Sequence, residues 1–385
     1  MNHIVSSTTI AMLFGLGSAS CLAATLHAKA DGATQGTCIG WSDACTLGRA
    51  LAVAQSGDQI WVKAGTYGPV TLANGVRMIG GFAGTETSAS QSNPTANATV
   101  IDGAGAQAVL SDSNGPTTML RGFRITNGSA GGDFDGGGGL LLQNSSAVFA
   151  QCTFDHNRAD HFGAAVAIHG TGSPYFVNCI FHDNGSGDGT AVKPLAGGAV
   201  YLRGGTPMFA NCLFYDNVSG EGAVLANVSG VPTFINCTIV SNHARIGYGG
   251  AIHDDEAMAS VRNSILWNNT AVKGGSQIYN RTGFATLANY SDIEGGWAGT
   301  GNLSVDPQFV DSGTDNYRLT ERSPCKNKGQ NSALSLSKDV PDLDWDGNLT
   351  EEIPLDLAQL ARTNLIVDIG AYEIQVGTPS PDLQE

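Results

Sequence analysis

One short pattern recurs about five times between Gly137 and Asn269, and it leaves few folds open to the chain. Each unit opens on small residues and a short apolar run: Gly163-Ala164-Ala165-Val166, Gly197-Gly198-Ala199-Val200, Glu221-Gly222-Ala223-Val224, Gly249-Gly250-Ala251-Ile252. Each closes on a second signature: Phe154-Asp155-His156-Asn157, Phe181-His182-Asp183-Asn184, Phe214-Tyr215-Asp216-Asn217, Ile239-Val240-Ser241-Asn242, Leu266-Trp267-Asn268-Asn269. Cys152, Cys179, Cys212 and Cys237 precede the closing signatures at spacings of 27, 33 and 25, and Ser264 follows 27 residues later. A repeat of this length is one supersecondary unit that buries its apolar face only against its neighbours.

Alternation within the unit selects strands. Phe176, Cys179 and Phe181 bracket Asn178; Phe209, Cys212 and Phe214 bracket Asn211; Phe234, Cys237 and Ile239 bracket Asn236. Every second side chain then shares a face. The runs are short and punctuated by Gly and Asn, which disfavours helix. Two or three short strands per unit fit one coil of a parallel β-helix, with equivalent residues about 4.8 Å apart. Asn178, Asn211, Asn236 and Asn263, started by Gln151, are expected to form an asparagine ladder at a left-handed corner, with amides bonding along the stack. The four cysteines are expected to stand as free thiols in an apolar column, because parallel side-chain vectors disfavour bridging. A serine placed there would enter without an assured partner, at a cost of about 1–3 kcal/mol.

The pairing of the Gly-Gly-Ala-Ile-like and Phe-x-x-Asn motifs resembles the repeat of polymorphic outer-membrane proteins. It is also similar to secreted bacterial right-handed β-helix proteins of the pectin-lyase-like superfamily. The fold class this implies is all-β, a right-handed parallel β-helix with an N-terminal cap and an irregular C-terminal capping segment. The expected division is an export signal over 1–30, an N-terminal cap over 31–57, the solenoid over 58–290, a C-terminal cap over 291–375 and a polar tail over 376–385.

Several features suit export. Ile10 to Leu16 is a short apolar core followed by small residues, too short and too broken to span a membrane. Cleavage is expected after Ala23, Ala24 or Ala30, and Cys21 follows only a degenerate lipobox. Cys38 and Cys45 are close enough to form a disulfide in an oxidising compartment. Thr46 to Ala54 is expected to form a short capping helix, and Gln59 to Val62 a strand; this start resembles the Cys-Ser-Leu-Arg-Glu-Ala segment of many exported β-helix proteins. The net charge of −15 argues against nucleic acid and anionic lipid as partners. No mature transmembrane span is expected, and the chain is read as a monomer that is secreted or displayed on a bacterial surface.

Beyond Tyr290 the repeat breaks. Asp306-Pro307-Gln308-Phe309, Ser323-Pro324-Cys325, Asp342 to Asn348 and Asp368-Ile369-Gly370-Ala371-Tyr372-Glu373 follow in order. This set resembles the choice-of-anchor Q domain, which implies export; in plain physical terms it is expected to close the second end of the solenoid. Asp342, Asp344 and Asp346 before Gly347 are a candidate Ca²⁺ set, although such alternation also suits a solvated Asx turn. No cofactor is required by the reading.

The candidate ligand surface is a strip of loops at one corner, where a rigid scaffold concentrates function. It comprises Arg158, Asp160 and His161; Asp188 and Lys193 in a long excursion over 185–196; Glu221; His243, Arg245 and Tyr248; Lys273; and beyond the corner His253 and Asp254, followed by Asp255 and Glu256. Solvation alone also makes corners polar. The functional expectation is a non-catalytic adhesin-like or carbohydrate-binding protein. The alternative is a polysaccharide lyase or glycoside hydrolase acting on an acidic polysaccharide. No Arg-x-Pro-x-x-Arg, Gly-His-Gly, Asn-Thr-Asp or Arg-x-Lys run supports that alternative, and catalytic residues are unassigned.

Overall fold

The structure, a computed structural model, describes residues 23–131, 136–185, 196–282, 284–334, 339, 342–343, 347–362 and 366–375. Three parallel sheets run along it, and each coil contributes a strand to each. A representative coil passes from Val148–Ala150 in the first sheet to Thr153–Asp155 in the second. It crosses the short corner strand Arg158–Ala159 and enters the third sheet at Val166–His169. Among the described residues the three sheets hold ten, nine and eight strands. The chain is a right-handed parallel β-helix, as the repeat implies.

The corner between the first and second sheets follows from one backbone choice. Gln151, Asn178, Asn211, Asn236 and Asn263 all take φ between 48° and 52°. That left-handed kink reverses the strand's side-chain parity. Phe176, Cys179 and Phe181 therefore all face inward, although 176 and 179 differ by an odd number. Stacked coils align the core side chains into ladders. Phe149, Phe176, Phe209 and Phe234 stack with centroids 4.9 Å apart at each step. Phe154, Phe181 and Phe214 stack at 4.8 and 4.6 Å. Each fully buried phenylalanine contributes on the order of 2–3 kcal/mol. Entry into the third sheet needs glycine: at Gly163, Gly197, Gly222 and Gly249, all at positive φ, an added Cβ would lie 2.3–2.6 Å from the carbonyl oxygen three residues on.

The hydrogen-bonded asparagine ladder is not the one expected. Amides of the Asn178 column turn outward: Asn178 donates to the Asp356 carbonyl (2.9 Å), Asn211 to that of Leu355 (2.8 Å) and Asn263 to that of Gln330 (3.1 Å). The ladder runs instead through the last residue of each Phe-x-x-Asn signature. Asn157, Asn184, Asn217 and Asn242 each donate to the side-chain oxygen of the next, ending on Asn269, at 2.9–3.0 Å. Each also donates to a carbonyl of the preceding coil, such as Asn217 to Phe181 at 2.8 Å. Gly128 N–H caps one end, and Gln277 and Glu294 cap the other.

The cysteine column is present as free buried thiols, and burial pushes the Cys152 and Cys212 thiols well above their ordinary value. Each thiol already points at carbonyls, Cys212 Sγ at Ala210 (3.3 Å) and Phe176 (3.6 Å). Ser264 shows what a hydroxyl does on this column, donating to the Arg262 carbonyl at 2.8 Å. The expected penalty for serine is therefore revised downward. Cys212→Ser should shift the urea midpoint by less than about 1 kcal/mol of stability; a loss of 3 kcal/mol would show that the hydroxyl does not reach the carbonyl.

At the N-terminus Thr25–Ala33 forms the first strand of the first sheet, pairing with Gln59–Lys63. A leader ending at residue 30 would remove most of this strand, including buried Leu26 and Ala28; cleavage after Ala23 or Ala24 leaves it whole. The helix Leu47–Val53 is capped by Thr46, whose side chain accepts the Arg49 N–H, and it buries Leu47 and Ala50 against the core. Cys38 and Cys45 form a disulfide with Cα atoms 5.1 Å apart.

The C-terminal segment does more than close an end. Trp297 packs on the last coil and donates to the Thr286 carbonyl (3.0 Å). The chain then returns along the flank. Phe309, Tyr317 and Tyr372 cover Leu213 and Val240 on the outer second sheet. Leu343 and Ile353 cover Ala150, Val177 and Ala210 on the outer first sheet. Buried Arg121 ties the far end down, donating to the carbonyls of Asp342 (2.9 Å) and Leu343 (3.2 Å). The first and second sheets are apolar outside as well as inside over these coils, which is why they need a cover.

Candidate functional site

The corner strip resolves into three lines parallel to the solenoid axis. The first is the outward column of the corner ribbon, where Arg158, Gly185, Val218, His243 and Thr270 align rung by rung. Arg158 and His243 are thus three rungs apart, roughly 14 Å. Asp160 and Arg245 follow on this ribbon, both exposed, with partly exposed His161 beside Asp160. His243 Nδ1 bonds Thr270 Oγ1. Burial, and then Arg245, lower its pKa.

The second line holds Phe162, Ala196, Glu221 and Tyr248, joined by bridges and by the Gly222 N–H to Tyr248 carbonyl bond. The third is the outward column of the third sheet: Ala167, Tyr201, Ala226, His253 and Tyr279 in register. Side chains of the second line reach to the next rung of the third. Phe162 stacks on Tyr201 (4.5 Å, 27°) and Tyr248 on Tyr279 (4.1 Å, 15°). Between them Glu221 Oε2 lies 3.4 Å from His253 Nδ1. Two aromatic platforms therefore flank an imidazole–carboxylate pair, with Ala226 leaving a dip beside it. Tyr201 to Tyr279 is three rungs, roughly 14 Å.

Both signs of charge stand here: Arg158, Arg203, Arg245, Lys273 and Arg281 lie on the corner ribbon, its loops or the third sheet, with Asp160, Glu221, Asp255 and Glu256 among them. The Lys273 ammonium lies 5.8 Å from the Tyr248 ring centroid, and Arg281 pairs with Asp255 at 2.7 Å. Burial pushes the His253 imidazole below its ordinary value, against the pull of Glu221 and Asp255. Its Nε2 is buried without a partner, which points to a ligand or water at that spot.

One expected member falls away. Asp254 faces inward and is 1% exposed. It accepts from Asn227 Nδ2 (2.8 Å), Ala259 N–H (3.0 Å) and Thr286 Oγ1 (2.5 Å), so it braces a turn instead of meeting a ligand. Pleating sends His253 out and Asp254 in. Asp188 and Lys193 lie outside the described residues, as do Asp344 and Asp346. Asp342 is described: its Oδ1 accepts the Gly347 N–H, five residues further on, at 3.3 Å. Among the described residues no group of three or more His, Cys, Asp or Glu side chains is arranged to hold a metal ion. Phe162, Tyr201 and Tyr279 were missed by sequence reasoning. They sit at strand and loop positions that read as ordinary core, and only the rung offset brings them into pairs.

Comparison with known proteins agrees on the architecture. A family described as the right handed beta helix region matches residues 107–291. The fold and this match define a right-handed parallel β-helix protein. The crystal structure of pectate lyase Pel9A is similar at 14% identity and a TM-score of 0.46, covering 92% of this chain and 97% of that one. None of the curated proteins matches the sequence. Among the described residues no helix is long and apolar enough to cross a membrane.

Proposed function

We propose that this is an exported carbohydrate-binding β-helix that holds an anionic glycan along the corner strip. The observation that carries the reading is the pair of aromatic platforms, Phe162–Tyr201 and Tyr248–Tyr279, aligned along one axis on either side of His253. Sugar rings present C–H faces that pack on aromatic rings, and a linear chain meets such platforms at fixed intervals. The rung spacing is close to the advance of one pyranose unit in an extended chain. Lys273 and the neighbouring arginines supply the charge complement for a carboxylated or sulfated sugar. Export is supported by the Cys38–Cys45 disulfide, which persists in oxidising compartments, and by the apolar run from Ile10 to Leu16.

Tyr279→Ala should weaken binding to an acidic oligosaccharide at least tenfold, about 1.4 kcal/mol, in titration calorimetry at low salt. Binding should weaken further as salt rises. Deleting 186–195 and closing with Gly between Gly185 and Ala196, which pair with the neighbouring coils on the strip, should also reduce affinity while leaving the melting point nearly unchanged. Unaltered affinity in Tyr279→Ala would remove the platforms from consideration.

A further inference from the structure

A recess opens on the outer second sheet where the returning C-terminal segment crosses it. The outward column of that sheet reads Asp155, His182, Tyr215, Val240 and Trp267, one residue per coil in register. Tyr317 of the returning segment packs on Val240, set edge-on to Phe309 (5.4 Å, 85°) and tilted against Tyr215 (5.5 Å). The next rung, Trp267, stays partly exposed. The space beside it is a cavity of about 320 Å³. Trp267, Phe309 and Tyr317 give it an aromatic wall, and the exposed residues Asn268, Asp306 and Gln308 give it a polar rim.

The polar atoms around this cavity are only half used by the protein. Trp41, Trp61 and Trp297 each donate the indole N–H to a protein oxygen, whereas Trp267 donates to no described residue. Asp306 Oδ1 accepts the Gln308 N–H (2.9 Å), and its Oδ2 is left over. Asn268 Nδ2 donates to Ser241 Oγ (3.2 Å), and its Oδ1 is left over. Gln308 is fixed at φ 54° with both backbone groups engaged, its carbonyl accepting the Thr320 N–H at 3.1 Å. Its side-chain amide bonds no described residue.

These leftovers define a ligand. An aromatic wall packs the C–H face of a pyranose ring, and a few convergent polar groups fix its orientation. Asp306 Oδ2, Asn268 Oδ1 and the Gln308 amide oxygen accept from hydroxyls; the indole N–H and the Gln308 amide nitrogen donate to sugar oxygens. Charge narrows the class. Among the described residues no lysine or arginine lines the cavity, so a uronate or sulfated sugar would meet the Asp306 carboxylate with nothing to offset it. The volume is at the small end of ligand pockets, which suits one ring and not a run of them.

We propose that this recess binds a single neutral hexopyranose through Trp267, Asn268, Asp306 and Gln308. It is a site separate from the corner strip, selective for the opposite chemistry, and does not rest on the reading of that strip.

The test titrates the full chain with methyl glucoside, methyl galactoside and methyl mannoside, and with galacturonic acid as the charged counterpart, by saturation-transfer NMR and calorimetry. At least one neutral hexoside should bind with millimolar affinity, and galacturonic acid at least tenfold more weakly. Trp267→Ala should lower the hexoside affinity at least tenfold and Asp306→Asn at least fivefold. Asparagine keeps an Oδ1 for the Gln308 N–H, so Asp306→Asn should melt as wild type does. Trp267 also packs on the flank, so if Trp267→Ala melts lower, Asp306→Asn decides the matter. No binding of any of the three hexosides at tens of millimolar, galacturonic acid binding as well as they do, or an Asp306→Asn affinity within twofold of wild type overturns the proposal. Hexoside binding lost in Tyr279→Ala but kept in Trp267→Ala would put the neutral sugar on the corner strip and overturns it too. Binding of the acidic oligosaccharide is read separately and bears only on the strip.

Discussion

Asn217→Ala should cost about 3–5 kcal/mol of stability, among the largest effects of any single truncation in the solenoid. Asn217 is fully buried. Its amide donates to the carbonyls of Phe181 (2.8 Å) and Tyr215 (3.0 Å) and to Asn242 Oδ1 (2.9 Å). Its oxygen accepts from both the backbone (3.2 Å) and the side chain (3.0 Å) of Asn184. Alanine leaves groups on three coils unsatisfied, each without access to water. The column also transmits order between coils, because the oxygen of every asparagine fixes the backbone and side-chain amides of the one before it. The paired control is Asn268→Ala. That residue is exposed and neighbours the ladder residue Asn269, and its loss should cost about 1 kcal/mol, mostly for alanine at positive φ. Urea midpoints of the two variants decide it. Equal losses would mean that the ladder adds nothing beyond backbone conformation.

The second large effect lies in the returning segment. Arg362 is completely buried among Asp356, Asp368 and Glu373. It donates to the carbonyls of Gly370 (2.6 Å) and Asp368 (3.3 Å), and its Nε lies 3.8 Å from Glu373 Oε2. Arg362→Met should cost about 3–5 kcal/mol, because it strands buried carboxylates without their cation. Hydrogen exchange should show the loss first over 306–375, the segment that this cluster folds onto the flank.

The same cluster makes stability depend on pH. Burial pushes Glu373 up to about 8, against the attraction of Arg362. Its folded pKa therefore lies above its unfolded value of about 4.3. Stabilisation from the protonated acid is complete below that unfolded value and is lost as pH rises through 8. Raising the pH from 5 to 9 should thus loosen the C-terminal segment by a few kcal/mol. Glu373→Gln, which keeps the shape without the titration, should flatten that dependence. A wild-type protein equally stable at both pH values would show that Glu373 is ionised throughout.

Much of the fold was legible locally, for identifiable reasons. The Gly-Gly-Ala signature marks a positive-φ entry where a Cβ would strike a carbonyl, and only a small set of residues meets that demand. Phenylalanines at fixed offsets predict ladders, because stacking equivalent residues is the geometry of parallel coils. The asparagines were harder. Two columns of Asn flanked by apolar residues look alike in sequence, yet one turns a corner and the other fills the interior. A usable clue was present: the interior column keeps Asn in all five signatures, whereas the corner column begins with Gln151. A ladder side chain such as Asn217 is enclosed by three backbone partners and two asparagines, whereas the corner side chains bond the returning segment, where a longer amide also fits.

The amino-acid sequence by itself determined the repeat, the strand parity and the coil. Those depend on residues within one unit and on the φ, ψ and volume each can adopt. Contacts between units were decided only in three dimensions. Which aromatic rings pair across the strip depends on a one-rung offset between its lines, and Phe162 and Tyr201 are 39 residues apart in the chain. Arg124 reaches Asp155 from a different coil, across 31 residues. The path of the C-terminal segment, from the end back along the flank, follows from apolar side chains on the outer faces of the first two sheets. Alternation allows a strand one buried face; that these strands have two was a property of the packed molecule, because the second face acquires its partner from a segment more than a hundred residues away.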